Sequence, residues 1–312
     1  MGRARTSEPC DRATLQNARL SARDDAVRPA DCGKIAPMSR SIARFVTGLV
    51  NITLAPLGAR QRKRVIARVV DALMEDDLAT IDTRLGSLRF RQLRSAFTAS
   101  AVERFHTDEP ETLAWIDGFE RGAVFWDIGA SIGVYSLYAA LKPGVEVLAF
   151  EPSGFNFGVL VEHIALNGMG DRIQPFCVAI GRQRQALGAL HMSQASPGHG
   201  GNALDRPENQ YTSFDAVFRQ RVLAFSIDGF REAYGLPAPS HIKIDVDGIE
   251  DDIIAGASGT LPAVQSVLIE VQGRIEGERA RAMEATLAAA GLVEDGAARA
   301  LGSGRNRLYR RA

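Results

Sequence analysis

The chain has 312 residues, and its 37 basic and 37 acidic side chains cancel to a formal net charge of zero. That length holds one large α/β domain with an appendage or two small domains, while the balanced charge argues against nucleic acid or a membrane as a partner bound through charge as a whole. Three separated cysteines, Cys10, Cys32 and Cys177, lack metal-site spacing, which argues against a disulfide framework and makes the cytoplasm the expected compartment.

Residues 1–40 mix Arg, Asp, Ser, Ala and Pro without apolar periodicity and read as a disordered leader, with Met38 an alternative start to Met1. Nothing near the start has the apolar core of a signal peptide, and no run reaches the roughly 18 apolar residues of a membrane span. From Ser41 to Leu57 the chain is apolar with few charges; Arg60, Arg62, Lys63 and Arg64 then open a helical pattern through Val65, Ile66, Val69, Val70, Leu73 and Met74. The plain expectation is a helical cap packed on the main domain. The sharper alternative is an amphipathic segment over 41–64 held by its basic cluster against anionic lipid. Leu78 to Phe90 alternates around Gly86-Ser87 as a β-hairpin outside the main sheet, and Pro110 suits the first turn of a helix capped by Thr107 or Asp108.

Val124 to Gly133 reads as a short buried strand that breaks at Gly129 and enters a helix through Val134, Tyr135, Leu137 and Tyr138. Glycine at 129 permits a tight turn, glycine at 133 permits close packing of helix on strand, and the helix start offers unpaired N–H groups to a nucleotide-like cofactor. A second strand, Val145 to Phe150, ends in Glu151-Pro152 about 20 residues beyond the glycines, where an acidic residue accepts hydrogen bonds from ribose hydroxyls in Rossmann-type folds. Glu151 is the candidate for that role.

A helix from about Phe155 to Asn167 and a third strand from Arg172 to Ile180 follow, then a polar interval from Arg182 to Gln220 of the kind that forms lids or substrate loops. A helix from Ser226 to Tyr234 leads to the second centre, His241-Ile242-Lys243-Ile244-Asp245-Val246-Asp247-Gly248-Ile249-Glu250. Here Ile242, Ile244 and Val246 share one face of a strand, while Lys243, Asp245 and Asp247 share the other and call for partners or a ligand. A strand over Ser266 to Val271, a helix over Gly277 to Ala290 and strands near Leu292 to Glu294 and Asn306 to Arg310 complete a doubly wound sheet.

Taken together, Glu109-Pro110-Glu111-Thr112, Trp115-Ile116, Asp127-Ile128-Gly129-Ala130-Ser131-Ile132-Gly133, Phe150-Glu151-Pro152, the 242–250 stretch and Ile269-Glu270 resemble the FkbM family of S-adenosylmethionine-dependent methyltransferases in order and spacing. Ser131 stands where that family usually has Asn, and Asp247 where it has Glu. The resemblance implies an α/β, Rossmann-like class I methyltransferase fold: a doubly wound seven-stranded sheet whose last strand is antiparallel, with an N-terminal helical and hairpin extension over 41–115 and the methyltransferase domain over 116–312. It also implies S-adenosyl-L-methionine as cofactor and a hydroxyl of a sugar, glycan or secondary metabolite as methyl acceptor.

On that basis Asp127 and the turn Gly129, Ala130, Ser131 and Gly133 are expected at the methionine moiety, joined by Glu111 and Thr112. Glu151-Pro152 is expected at the ribose, and Asn167 with Ala179 near the adenine. Asp245 is expected to approach the cofactor's ammonium group or the acceptor. Asp247, Glu250 and His241 are base candidates with Lys243 as charge partner. Two other readings of this set remain: Lys243 and Asp245 as a plain buried ion pair, or Asp245, Asp247 and Glu250 around a divalent cation. His106, His163, His191 and His199 have no ligand spacing and read as surface or loop residues, with His106 set apart because it precedes the helix expected over the cofactor. The competing functions are an NAD-dependent oxidoreductase, disfavoured by the missing G-x-G-x-x-G, and a non-catalytic cofactor-binding module.

Overall fold

The computed structural model describes residues 37–75, 77–208, 213–271, 277–300 and 302–312. Most of the expected leader, with Cys10 and Cys32, lies outside them. The described chain opens with helices α1 (Pro37–Thr53) and α2 (Ala59–Glu75), strands β1 (Leu78–Thr83) and β2 (Gly86–Arg91), and helices α3 (Ala96–Glu103) and α4 (Pro110–Asp117). Next come β3 (Val124–Ile128), α5 (Val134–Ala140), β4 (Glu146–Phe150), α6 (Gly154–Leu166) and β5 (Ile173–Phe176). Strands β6 (Ala179–Ile180), β7 (Gln185–Met192), β8 (Ala203–Leu204) and β9 (Phe218–Phe225) precede α7 (Ile227–Tyr234), β10 (His241–Ile244), α8 (Glu250–Ala255) and β11 (Ser266–Glu270). Helix α9 (Gly277–Ala289), β12 (Leu292–Glu294), α10 (Gly296–Ala300) and β13 (Asn306–Arg311) close the chain.

Seven strands form the main sheet in the order β12-β13-β11-β10-β3-β4-β5. β13, the last strand in the chain, is antiparallel to β12 and β11 on either side of it, and the remaining pairings are parallel. The fold is therefore the expected seven-stranded α/β sheet with an antiparallel final strand. Its central strands are covered on both faces, so they are near-continuous apolar runs rather than alternating ones. Phe125, Val147 and Leu268 face a core shared with Trp115, Ile116, Leu137 and Tyr138. Trp126, Leu148, Ile242 and Ile244 face the opposite core with Phe230, Ile253, Ile254 and Leu287.

The hairpin stands outside this sheet, as its alternation indicates, but it turns at Arg84-Leu85, because Thr83 already pairs with Gly86. Leu88 and Phe90 on β2 are fully buried in the first core. Helix α4 starts at Pro110 with Glu109, rather than Thr107 or Asp108, as its N-cap residue. Trp115 and Ile116, where the boundary between extension and main domain is expected, lie inside α4 and in the main core.

Two stretches differ from expectation. The third strand divides at Cys177-Val178: β5 joins the main sheet, whereas β6 pairs with β9 in a separate four-stranded sheet, β6-β9-β7-β8. The polar interval 182–220 thus contributes β7, β8 and the start of β9 to a small sheet, and the loop between β7 and β8 lies at the cavity, as expected of a substrate loop. Helices α1 and α2 form as the periodicity predicts, yet none of the side chains described on them is buried. No helix among the described residues is long and apolar enough to cross a membrane.

Candidate active site

The carboxyl ends of β3, β4, β10 and β11 meet at one cavity of about 640 Å³, where an open α/β sheet places its ligands. Beyond β3, the N–H groups of Gly129 and Ala130 both donate to the Phe150 carbonyl, at 2.9 and 3.0 Å, which ties the turn to the end of β4. Gly129 has φ of +84°, and a Cβ there would lie 1.9 Å from the Asp245 carbonyl oxygen. Only glycine lets this turn close on the end of β10.

Ser131 also adopts a left-handed conformation, with φ of 51°. Its N–H donates to Glu151 Oε2 at 2.9 Å, and the Ser153 N–H donates to Glu151 Oε1 at 2.8 Å. Burial nevertheless pushes the Glu151 carboxyl up to about 7, because those two N–H donors only partly offset desolvation. The cavity wall also carries the apolar side chains of Val178, just before β6, and of Ala179 and Ile180 on it.

The other end of the cavity is charged, with Asp108, Glu109, Asp245, Glu270 and Arg305 in its wall. Behind them Lys243, 1% exposed, contacts Asp245, approaches Glu109 to 3.9 Å and lies 4.7 Å from the centre of the Tyr135 ring. Burial alone would strip its proton, but Asp245, Glu109 and Asp127 together hold Lys243 above its ordinary value. Asp245 is also desolvated, yet Lys243 and a hydrogen bond from Glu270 keep it below the usual carboxylate range. Glu270 is pushed up to about 9 by burial and by the neighbouring Asp245, so at neutral pH it keeps its proton and donates it. With Glu270 protonated, Asp108, Glu109 and Asp245 are set against Lys243 and Arg305, which approaches Asp108 to 3.1 Å and Glu109 to 3.9 Å, so this end carries at most one net negative charge.

A loop between β7 and β8 roofs the cavity. Its Gly198 N–H donates to Asn156 Oδ1 at 2.8 Å, its Gly201 N–H donates to Asp247 Oδ2 at 2.7 Å, and its Pro197 carbonyl accepts from Ser95 Oγ at 2.5 Å. His199 packs edge-on against Phe97 with ring centres 4.7 Å apart, and its Nε2 meets Ser193 Oγ at 2.8 Å. Asp247 is raised to about 7, chiefly by burial and then by Asp245.

A family model described as the methyltransferase FkbM domain matches residues 127–294, more than half of the chain. The chain belongs to the FkbM methyltransferase family. Among curated relatives, the hexuronic acid methyltransferase AglP of Haloferax volcanii is 24% identical over 158 residues, covering 50% of this chain and 59% of that protein. The methyltransferase sdnD of Sordaria araneosa is 26% identical over 155 residues, covering 42% of this chain and 58% of that protein. The matches thus span under two thirds of either relative's length. A crystal structure of a methyltransferase FkbM from Methylobacillus flagellatus is similar at 16% identity and a TM-score of 0.38, over 68% of this chain and 51% of that one.

Family membership implies S-adenosylmethionine as methyl donor, and the cavity fits it chemically: a glycine turn closed tightly on the end of β10, a buried carboxylate, apolar side chains at Val178, Ala179 and Ile180, and a charged end where Asp245 stands. The structure brings Gly129, Ser131, Glu151, Pro152, Ala179, Asp245 and Asp247 to this cavity of the FkbM domain. Others stand behind its wall. Asp127 accepts from Ser136 Oγ at 2.5 Å beneath the turn, and Thr112 donates to Glu109 Oε2 at 2.7 Å. Gly133 starts α5 with φ of +91°, where a Cβ would lie 2.6 Å from Leu160 Cδ1.

Several expected residues lie elsewhere. Asn167 closes α6 and bonds through its side chain to the Arg89 backbone. Glu111 bonds to Ser303 and Asn306. His241 sits at the opposite end of β10, stacked on Phe119 and bonded to Ser266 Oγ at 2.8 Å, its proton affinity lowered to about 4 by burial. Glu250, fully buried at the start of α8, accepts from the Gly248 N–H at 3.1 Å. Among the described residues no group of three or more His, Cys, Asp or Glu side chains is arranged to hold a metal ion, so Asp245, Asp247 and Glu250 do not form the cation site considered above.

Three residues escape the sequence reading. Glu109, not Glu111, reaches the cavity, because Pro110 at the first helical position leaves residue 109 as the cap. His199 is in a loop, as expected, but lines the cavity, and His163 is fully buried on α6, its Nε2 accepting from the Arg91 N–H at 3.0 Å while Nδ1 donates to the Ile132 carbonyl at 2.8 Å. That pair of bonds clamps the hairpin to the glycine turn.

Proposed function

We propose that this protein is an S-adenosylmethionine-dependent O-methyltransferase acting on a hydroxyl of a sugar or a comparably polar metabolite. The observation that carries the reading is the buried Glu151 carboxylate, held by the Ser131 and Ser153 N–H groups at the mouth of the glycine turn. Glu151 accepts from the ribose hydroxyls, and the slot at Val178, Ala179 and Ile180 takes the adenine. Asp245, with Glu109 and Glu270 beside it, receives the ammonium group of the methionine moiety. When bound, S-adenosylmethionine supplies an electrophilic methyl carbon on a sulfonium. The chain's work is then to align an acceptor oxygen and remove its proton.

Asp247 takes that proton. It lines the cavity, is fixed by the Gly201 N–H, and has a proton affinity near neutrality, where a general base is most effective. His199 stands in the same wall, kept neutral by burial, and orients the acceptor. A sugar-like acceptor is supported by the adjoining cavity of about 600 Å³, which shares Leu204, Glu208 and Ile249 with the first and carries Arg182, Arg206 and Arg279. A relative that is named for action on a hexuronic acid supports the same class.

Calorimetry on cofactor-stripped protein tests the binding half: heat with S-adenosylmethionine or its demethylated product, none with NAD, and binding weakened at least about tenfold by Glu151→Ala, the loss of one charge-assisted contact. Absence of heat with both methyl-donor forms overturns the proposal. For the chemical half, turnover on a sugar panel should rise as pH passes through about 7 and lose that rise in Asp247→Asn, with cofactor affinity unchanged.

A further inference from the structure

Helices α1 and α2 leave an amphipathic surface that no described part of the chain covers. On α1, Ile42, Phe45, Val46 and Leu49 follow a three-four spacing along one face, and on α2 Ile66, Val69, Val70 and Leu73 do the same. All eight are exposed, Phe45 at 73% and Leu73 at 60%. A contiguous apolar stripe left in water marks an interaction surface.

Charge says what it meets. Residues 37–75 carry seven basic side chains, Arg40, Arg44, Arg60, Arg62, Lys63, Arg64 and Arg68, against Asp71 and Glu75. Residues 76–312 carry 23 basic and 30 acidic ones, so the neutral total conceals a basic helical pair attached to an acidic enzyme. Residues 1–36 carry seven basic and five acidic side chains and bring no net countercharge. A second copy laid on this face would set one arginine cluster against another. Neither helix is long and apolar enough to span a bilayer, which leaves lying in its interface.

We propose that α1 and α2 form a peripheral anchor for an anionic lipid surface, with the apolar stripes in the acyl boundary and the arginine cluster among the headgroups. The anchor is independent of the methyltransferase reading, since vesicle binding requires no methyl transfer.

Flotation of the full-length chain with vesicles tests it. Association with phosphatidylcholine vesicles containing phosphatidylglycerol should exceed that with phosphatidylcholine alone at least about tenfold and weaken with added salt. Phe45→Glu with Val69→Glu should abolish it, and changing Arg60, Arg62, Lys63 and Arg64 to Gln should abolish the preference for the anionic vesicles. Because all six positions lie on helices with no buried side chain among the described residues, both variants should keep the wild-type melting temperature, which separates loss of binding from loss of fold. Equal association with both vesicle types, or none with either, overturns the proposal. So does a concentration-dependent dimer in sedimentation that Phe45→Glu dissociates in a chain that binds no vesicle.

Discussion

Gly129, Ser131 and Lys243 show how narrowly single positions are constrained here. Gly129→Ala drives a methyl group into the Asp245 carbonyl at a φ that only glycine adopts freely, and should cost at least about 2 kcal/mol in chemical denaturation while abolishing cofactor binding. Ser131 holds a left-handed conformation that Asn tolerates better. Ser131→Asn should therefore raise stability by about 0.5 kcal/mol and leave the N–H that serves Glu151 in place. Lys243→Met strands Asp245, Glu109 and Asp127 without their shared cation, so denaturation should register a loss of about 3–5 kcal/mol although the replacement is similar in bulk. At this scale the sequence was partly readable. The alternation of Lys243 and Asp245 with isoleucines announces an internal charge pair, and the contact between the two is present. His199 carries no such mark: its place depends on Asn156 and Asp247, which lie some 40 residues away on either side and fix the loop from outside.

Among the elements, those buried on both faces were the legible ones. Strands β3, β4 and β11 are apolar runs bounded by turns, and each forms within a residue of its expected span, whereas β10 stops at Ile244, so Asp245 and Asp247 lie in the loop beyond it rather than on a strand face with Lys243. Strand β9 was not legible, because Arg219, Gln220 and Arg221 occupy its first half and only Val222, Ala224 and Phe225 are buried. The two residues of β6 are too few to show a period. Helix α8 carries a pH dependence of its own. Burial raises Glu250 at its start to about 8, against an ordinary value of 4.5, and the Gly248 N–H offsets only part of this. The native state then holds a proton that the unfolded chain releases above 4.5, so this group's contribution to stability falls as pH rises from 4.5 through about 8. Glu250→Gln keeps an acceptor for Gly248 and removes the proton. Thermal melts should show the variant's stability relative to wild type growing with pH across that window and levelling above it.

For the whole molecule, the order of strands and the chain's two charge regimes matter most. The main sheet and hairpin share one continuous core, and α1 and α2 contribute nothing buried to it. A chain lacking residues 1–75 should keep the melting temperature and cofactor affinity of the full protein while losing its preference for anionic vesicles; a fall in melting temperature would mean that the helices support the fold. Alternating strands and helices foretold a doubly wound sheet, and the seven strands with an antiparallel last one were foreseeable only through the resemblance to the FkbM family. The small second sheet was not, since its pairings join segments whose polar faces imitate loop composition. The roof loop tied to Asn156, Ser95 and Asp247 has one more consequence. Moored at Ser95, Asn156 and Asp247, three points far apart in the chain, it is a lintel across the cavity, and a substitution at any one mooring should leave the other two in place.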